Sequence, residues 1–179
     1  FIQTVGQRKA GRIVPDGRRY TALVGMCPRQ TAGRGFIIDG IPNSGVIVMS
    51  QYQVAIIVGS LRKASFNRQL AQAIAKMAPE GWQFNEVGIG DLPLYNQDAD
   101  GNEVTAVQQF RDAVRGADAV LFVTPEYNRS VPGVLKNALD QGSRPYGQSV
   151  WDAKPAAVIG MSVGAIGTAL AQQHLRNVL

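Results

Sequence analysis

Cysteine and histidine are almost missing from this chain of 179 residues, which contains one of each, Cys27 and His174. One cysteine cannot form an intramolecular disulfide, a CxxC redox pair or a zinc site built from thiolates. One histidine excludes multi-histidine metal sites and leaves little room for a Ser–His–Asp triad. Because His174 falls within a predicted helix, we expect it to serve structure rather than catalysis.

Long hydrophobic runs are also absent, since no apolar segment approaches the roughly 18 residues that a membrane-spanning helix requires. Apolar residues make up 45% of the chain and charged residues 17%, a balance that can bury a core. The length fits one domain, or one domain with an appendage. The composition therefore indicates a folded domain and predicts no membrane partner.

Negative charge is scarce in one part of the chain only. Residues 1–48 contain seven lysines and arginines against two acidic residues, whereas residues 49–179 contain eleven of each sign. The net charge of +5 therefore belongs entirely to the first 48 residues. A basic surface can bind nucleic acid, but the larger part of the chain carries no such signal. A nucleic-acid-binding module would rest on residues 1–48 alone, and we expect no nucleic-acid partner.

The first 48 residues also differ in pattern, with eight glycines, three prolines and no sustained hydrophobic period. Met49 comes just before a strong predicted strand, as at many natural N-termini. We expect residues 1–48 to be a basic extension outside the fold, translated from upstream of the true start. A genuine, loosely ordered extension and a targeting peptide are the alternatives. The folded domain is then 49–179.

Strands and helices alternate from residue 53 onward. Near-continuous apolar runs indicate strands that are buried on both faces, and the second, more polar strand indicates an edge. Alternation of this kind predicts parallel βαβ units and an α/β, doubly wound, three-layer αβα fold. The predicted strands are 53–59, 84–87, 117–124 and 155–161, and the predicted helices are 65–77, 103–115, 133–141 and 164–179.

Only four strands precede the last residue, and the last predicted helix has no capping signal at its end. Three-layer folds of this kind usually contain five or more strands. We therefore expect the domain to be incomplete at its C-terminus, where a final strand and helix would complete the sheet.

A polar loop follows the first predicted strand. It contains the hydroxyls of Ser60 and Ser65, the guanidinium of Arg62, the amide of Asn67 and a helix N-terminus, which together suit a phosphate monoester. The loop has neither the G-x-G-x-x-G nor the G-x-x-x-x-G-K-[ST] pattern, which disfavours a Rossmann dinucleotide site and a nucleoside triphosphate site. An ordinary helix cap beside a solvated arginine is the alternative interpretation.

Two further loops follow strands whose carboxyl ends should meet the first loop at one edge of the sheet. Tyr127 can flank a planar ring while the backbone near it meets the polar edge of that ring; a tight turn with a packed tyrosine is the alternative. The third loop, 162–167, is small and rich in glycine, so a flat ligand can approach its backbone. Nothing pairs Glu126 and Asp140 as acid and base. We therefore expect no catalytic side chain and no metal, but a cofactor that carries the chemistry.

Three motifs carry a resemblance to a known family: GSLRKxSxN at 59–67, TPEYNxSxPGxLKNAxD at 124–140 and SxGxxG at 162–167. In this order and spacing they resemble the NAD(P)H-dependent FMN reductases, and in particular the bacterial quinone and chromate reductases of flavodoxin-like fold. The resemblance extends from about Met49 to Leu179. Two positions depart from the family pattern, because Gln141 replaces a common aromatic residue and Thr168 replaces a second glycine.

The resemblance implies an enzyme that passes a hydride from NADPH or NADH to FMN and then electrons to a small-molecule acceptor. That acceptor would be a quinone, an azo compound, a chromate-like oxyanion or free flavin. It also implies a cytoplasmic homodimer or homotetramer. By residue, it implies that Ser60, Arg62, Ser65 and Asn67 bind the FMN phosphate, that Pro125, Glu126, Tyr127 and Asn128 line the isoalloxazine ring, and that Ser162 and Gly164 close the other side.

A flavodoxin-like electron carrier, which binds FMN without oxidising NAD(P)H, is the alternative function. Such carriers are usually strongly acidic because they meet basic partners, whereas residues 49–179 are electrically neutral. The charge balance therefore favours the reductase. No residue that reads the ribose is identifiable, so the sequence does not choose between NADH and NADPH.

Overall fold

The computed structural model describes residues 10–13, 19–27 and 51–179. The strands are β1 (Ala10–Ile13), β2 (Arg19–Cys27), β3 (Tyr52–Val58), β4 (Trp82–Glu86), β5 (Ala119–Val123) and β6 (Ala156–Ser162). The helices are α1 (Phe66–Lys76), α2 (Thr105–Arg115), α3 (Gly133–Gly142) and α4 (Ala169–Val178), with a short 3-10 turn at Gln97–Ala99. Within the described ranges, no helix combines the length and apolar character needed to cross a bilayer.

Four strands form a parallel sheet in the order β4-β3-β5-β6. The first of them along the chain, β3, lies between the second and the third, which is the order of flavodoxin-like doubly wound sheets. The predicted fold class is therefore confirmed. The polar strand β4 lies at the edge of the sheet, as its sequence indicates.

The core lies on both faces of the parallel sheet. Side chains alternate along β3, so that Ala55 and Ile57 pack with residues of α2 and α3, while Val54, Ile56 and Val58 pack on the side of α1. Full burial of one such aliphatic side chain stabilises a fold by about 1.5–3 kcal/mol. Helices on both faces explain why β3 and β5 are near-continuous apolar runs.

The last helix begins later than its sequence predicts. The expected start was near Gly164, but residues 164–167 form a turn that a hydrogen bond from Gly167 N to Gly164 O closes at 3.1 Å. Gly167 has a φ of +69°, a left-handed conformation that ends the regular helical path. The helix therefore starts at Ala169, and Ile166 lies exposed in the turn before it.

Two strands from the first 48 residues extend the sheet beyond β6. The backbone of β2 pairs with β6 in antiparallel register, from Thr21 opposite Ser162 to Cys27 opposite Ala156, and β1 pairs with β2. In this arrangement β2 covers the outer edge of β6. Met49, where the sequence divides the chain, lies outside the described residues, and that division stays a prediction.

Candidate functional site

The loops after β3, β5 and β6 meet in one cleft at the carboxyl ends of the parallel strands. The cavity has a volume of about 180 Å³ and is lined by Ser60, Arg62, Ser65, Phe66, Asn67, Pro125, Glu126, Tyr127, Met161, Ser162 and Val163. Of the ten predicted site residues, eight line this cleft; among the described residues, Asn128 and Gly164 lie outside its lining. A larger groove of about 590 Å³ lies between β4 and α2, away from the predicted residues. We place the site in the smaller cleft because three polar loops converge there.

One end of the cleft is built around the N-terminus of α1. Ser65 is the N-cap, and its Oγ accepts a hydrogen bond from Arg68 N at 3.3 Å. The guanidinium of Arg62 lies over the ring of Phe66, 4.8 Å from its centroid, in a cation–π contact that holds the positive charge beside the helix end. The helix-cap interpretation is thus confirmed for Ser65. Because the capped end also borders the cleft, the same residues suit an anion.

Asn67 makes a contact that its sequence motif does not reveal. Its side chain is buried, with 3% of the residue exposed. The amide Nδ2 donates to Met161 O at 3.0 Å, and Met161 N donates to Asn67 Oδ1 at 2.9 Å. These two bonds tie the first turn of α1 to the end of β6, beyond the last residue pair of β5 with β6. The role of Asn67 at a phosphate remains a prediction, whereas this bridge is a structural role.

The loop after β5 is a two-residue hairpin. Tyr127 and Ser130 exchange both backbone hydrogen bonds, at 2.9 and 3.0 Å, and Asn128 and Arg129 have φ values of +50° and +65°. Positive φ at both central positions is the type I′ turn. The tight-turn interpretation is therefore confirmed, but Tyr127 is half-exposed at the cleft rather than packed in the core.

Glu126 connects this hairpin to α4. Its Oε2 accepts hydrogen bonds from Leu170 N at 2.9 Å and from Ala171 N at 3.1 Å. Thr168 is the N-cap residue of α4, and its side chain caps none of the backbone N–H groups of the described helix. Glu126 therefore caps α4 from 44 residues earlier in the chain, a contact that no local sequence signal predicts.

The hairpin contacts α4 a second time through its other end. His174 Nδ1 and Ser130 Oγ lie 2.9 Å apart. The single histidine thus has a structural contact, as its place in a helix predicts. In the third loop, Gly164 N donates to Ser162 Oγ at 3.0 Å, which gives that loop a defined shape beside the cleft.

The donor set suits a ligand with a phosphate at one end and a flat ring at the other. Hydroxyls, a guanidinium and a helix N-terminus occupy the end near α1. The opposite end presents backbone, a half-exposed tyrosine and a short loop rich in glycine, which a planar group can approach closely. Flavin mononucleotide has this shape and charge distribution.

Comparison with known proteins leads to the same cofactor. A family model described as NADPH-dependent FMN reductase matches residues 52–179, which include all ten predicted site residues. A 2-hydroxy-1,4-benzoquinone reductase from Burkholderia sp. is 60% identical over 126 residues, which cover 70% of this chain and 69% of that protein. A quinone reductase from Pseudomonas putida is 56% identical over 133 residues, covering 73% and 72%.

One solved structure extends the likeness to the fold. The flavoenzyme NAD(P)H:(acceptor) oxidoreductase from Paracoccus denitrificans matches with a TM-score of 0.68 and 51% identity, over 70% of this chain and 69% of that one. The order of the strands, the convergence of three polar loops and the family model over most of the chain all agree. This chain belongs to the NADPH-dependent FMN reductase family.

Proposed function

We propose that this FMN-dependent enzyme oxidises NAD(P)H and reduces quinones. The observation that carries the proposal is the convergence of three polar loops in one cleft, with an anion-binding end and an open, flat end. When bound, FMN supplies the redox chemistry, taking a hydride from NAD(P)H and passing two electrons to the acceptor. The protein's own part is to bind and orient the reactants. Family membership favours this function over that of an electron carrier.

For the anionic end of the cleft, we propose that Ser60, Arg62, Ser65 and Asn67 hold the FMN phosphate. Each hydrogen bond to a charged group contributes about 1.5–3 kcal/mol, and the N-terminus of α1 adds about 0.3–1 kcal/mol. The amide of Asn67 is occupied by Met161 on one side, so only its remaining N–H is free to join them.

For the ring, two sides of the cleft are available. We propose that the hairpin lines one side through Pro125, Glu126, Tyr127 and Asn128, and that Ser162 and Gly164 close the other. Asn128 lies outside the cleft lining, and we propose that it takes part through its backbone.

Among electron acceptors, quinones are favoured because two similar proteins are named as reductases of quinones. Tyr127 and Val163 border the cleft and are exposed, so they offer apolar surface to a flat ring. Reduction of a quinone to a hydroquinone takes up two electrons and two protons. The hydride from NAD(P)H supplies both electrons and one proton, and water supplies the second proton. Azo compounds, chromate-like oxyanions and free flavin are alternative acceptors for the same cleft.

We further propose that 49–179 is the FMN-binding unit, since all ten site residues lie within it, and that it works in the cytoplasm, where NAD(P)H is supplied.

We also propose that the protein forms homodimers or homotetramers. Leu94 and Tyr146 support assembly because they leave 85% and 91% of their surface exposed. Light scattering that finds a monomer at every concentration would contradict this assembly.

An anaerobic absorbance titration tests the function. The protein is loaded with FMN, and NADPH or NADH is added, followed by a benzoquinone. We expect the visible flavin band to bleach with the nucleotide and to return with the quinone. Bound flavin that neither nucleotide bleaches would indicate an electron carrier. A folded protein that binds no FMN would show that the cleft has been assigned wrongly.

A further inference from the structure

We propose that Glu126 is a positioning residue, which fastens the hairpin after β5 to the N-terminus of α4 and thereby shapes the ring-binding end of the cleft. The inference rests on the proposed function, because it assumes that this cleft holds FMN. It concerns the geometry of the loop, and it assigns Glu126 no chemical step.

The carboxylate of Glu126 belongs to two structures at once. The residue lines the cleft, and its Oε2 accepts from both Leu170 N and Ala171 N. Hydrogen bonds between a carboxylate and the free N–H groups of a helix N-terminus are charge-assisted and favoured by the helix dipole. These two hydrogen bonds therefore fix the position of the hairpin relative to the start of α4.

The hairpin needs such support because its backbone is strained. Asn128 and Arg129 both have positive φ values; asparagine adopts this conformation readily, whereas arginine stays in it only where its surroundings hold it. The surroundings here are two attachments to one helix, from Glu126 to the first turn of α4 and from Ser130 to His174. Loss of either attachment allows the hairpin to relax away from the ring.

The two ends of the cleft respond differently to such a loss. The phosphate end is built on the loop after β3, where Ser65 caps α1 and Arg62 lies over Phe66. The first turn of α1, which follows that loop, is held to β6 through Asn67, and none of these contacts involves Glu126. Removing Glu126 should therefore weaken the ring contacts, which FMN and riboflavin share, and leave the phosphate contacts, which only FMN has.

The experiment measures the dissociation constants of FMN and riboflavin for the full-length apoprotein, by quenching of flavin fluorescence. We expect Glu126→Ala to raise both constants by the same factor of at least ten and to blur the fine structure of the visible flavin band. Glu126→Gln should restore most of the affinity, because one amide oxygen can accept both N–H groups. Arg62→Ala is the matched control at the other end, and it should raise the constant for FMN alone.

Several outcomes would overturn the inference. Unchanged dissociation constants in Glu126→Ala, with only a lower unfolding temperature, would reduce Glu126 to a helix cap. If the glutamine variant loses as much affinity as the alanine variant but keeps the unfolding temperature of the unaltered protein, the charge acts on the ligand rather than on the loop. If the unaltered protein binds neither FMN nor riboflavin, both the proposed function and this inference are wrong. If it binds FMN and the Glu126 variants bind FMN with the same dissociation constant, the inference alone is wrong.

A second variant keeps the test decisive if Glu126→Ala does not fold. Ser130→Ala removes the other attachment of the hairpin to α4 and leaves the cap of the helix in place. It should raise both dissociation constants by a common factor, smaller than that for Glu126→Ala. Unchanged constants in a folded Ser130→Ala protein would contradict the coupling between α4 and the ring-binding loop.

Discussion

Arg129 adopts a backbone conformation that suits glycine better than arginine, with a φ of +65°. A left-handed conformation costs a residue with a Cβ about 1–2 kcal/mol, while glycine loses about 0.5–1 kcal/mol more backbone entropy on folding. We therefore expect Arg129→Gly to raise the free energy of unfolding by up to about 1 kcal/mol. Denaturant unfolding of the apoprotein measures the change.

The control for this substitution is Gln69→Gly, at an exposed position inside α1. Its backbone is already helical, so glycine relieves nothing there and should destabilise by about 1 kcal/mol. If both variants lose stability equally, the hairpin is not strained at Arg129.

Glu103 and Arg111 form a largely buried ion pair whose strength depends on pH. Arg111 Nη1 lies 2.6 Å from Glu103 Oε1, and the two side chains are 6% and 13% exposed. This hydrogen bond holds the pKa of Glu103 below its ordinary value of 4.5. A carboxyl whose pKa is lowered by folding contributes stability that is complete above pH 4.5 and declines as the pH falls through the folded value.

We therefore expect Glu103→Ala to lower the free energy of unfolding by about 3 kcal/mol at pH 7, because Arg111 would remain buried without its partner. The difference from the unaltered protein should shrink progressively below pH 4.5. Asp112→Asn is the control, since it breaks an exposed pair with Arg115 and should change stability by less than about 1 kcal/mol at any pH. A pH-independent loss for Glu103→Ala would contradict the linkage.

At the scale of elements, β6 meets both β5 and the start of α4 at Gly160. A Cβ on Gly160 would lie 2.2 Å from Thr168 Oγ1 and 2.3 Å from the Thr124 carbonyl oxygen. Rotation of the hydroxyl would still leave Thr168 Cβ only 2.9 Å away, and the carbonyl belongs to the backbone and cannot rotate away. We expect Gly160→Ala to lower the free energy of unfolding by about 3 kcal/mol and to weaken FMN binding, because the strand ends that border the cleft must separate.

A matched substitution is available at Gly133, the first residue of α3. There a Cβ would meet open space among the described atoms, so Gly133→Ala should be neutral or stabilise by up to about 1 kcal/mol. Chemical denaturation of the two variants compares them directly. If Gly160→Ala leaves the free energy of unfolding unchanged, β5 and α4 lie farther from β6 than the structure describes.

The elements were largely predictable from the sequence, because hydrophobic periodicity decides them locally. The start of α4 was not, since the sign of φ at Gly167 follows from the turn and not from the residue type. The convergence of the three loops was predictable from strand order alone. The partners of Asn67 and Glu126 were not, because Met161 and Leu170 are 94 and 44 residues away and meet them only in the folded chain.

At the scale of the whole molecule, the sequence and the strand pairing disagree on whether residues 1–48 belong to the folded domain. The sequence separates residues 1–48 by their positive charge and irregular pattern. The structure nevertheless pairs β2 with the full length of β6, so that a segment outside the family match occupies the edge of the sheet. The two views make opposite predictions for a shortened chain.

A chain that begins at Met49 keeps all ten site residues but loses β1 and β2. The seven residues of β6 that pair with β2 would then present an open edge, and open edges pair with other chains. We expect the shorter chain to bind FMN but to unfold at a lower temperature and to form assemblies larger than those of the full chain, as measured by light scattering. The double substitution Leu23→Pro and Val24→Pro in the full chain should have the same effect. One of these two backbone N–H groups faces β6, and proline has no N–H to donate. A shorter chain that keeps both the oligomeric state and the unfolding temperature of the full chain would place residues 1–48 outside the fold, as their sequence indicates.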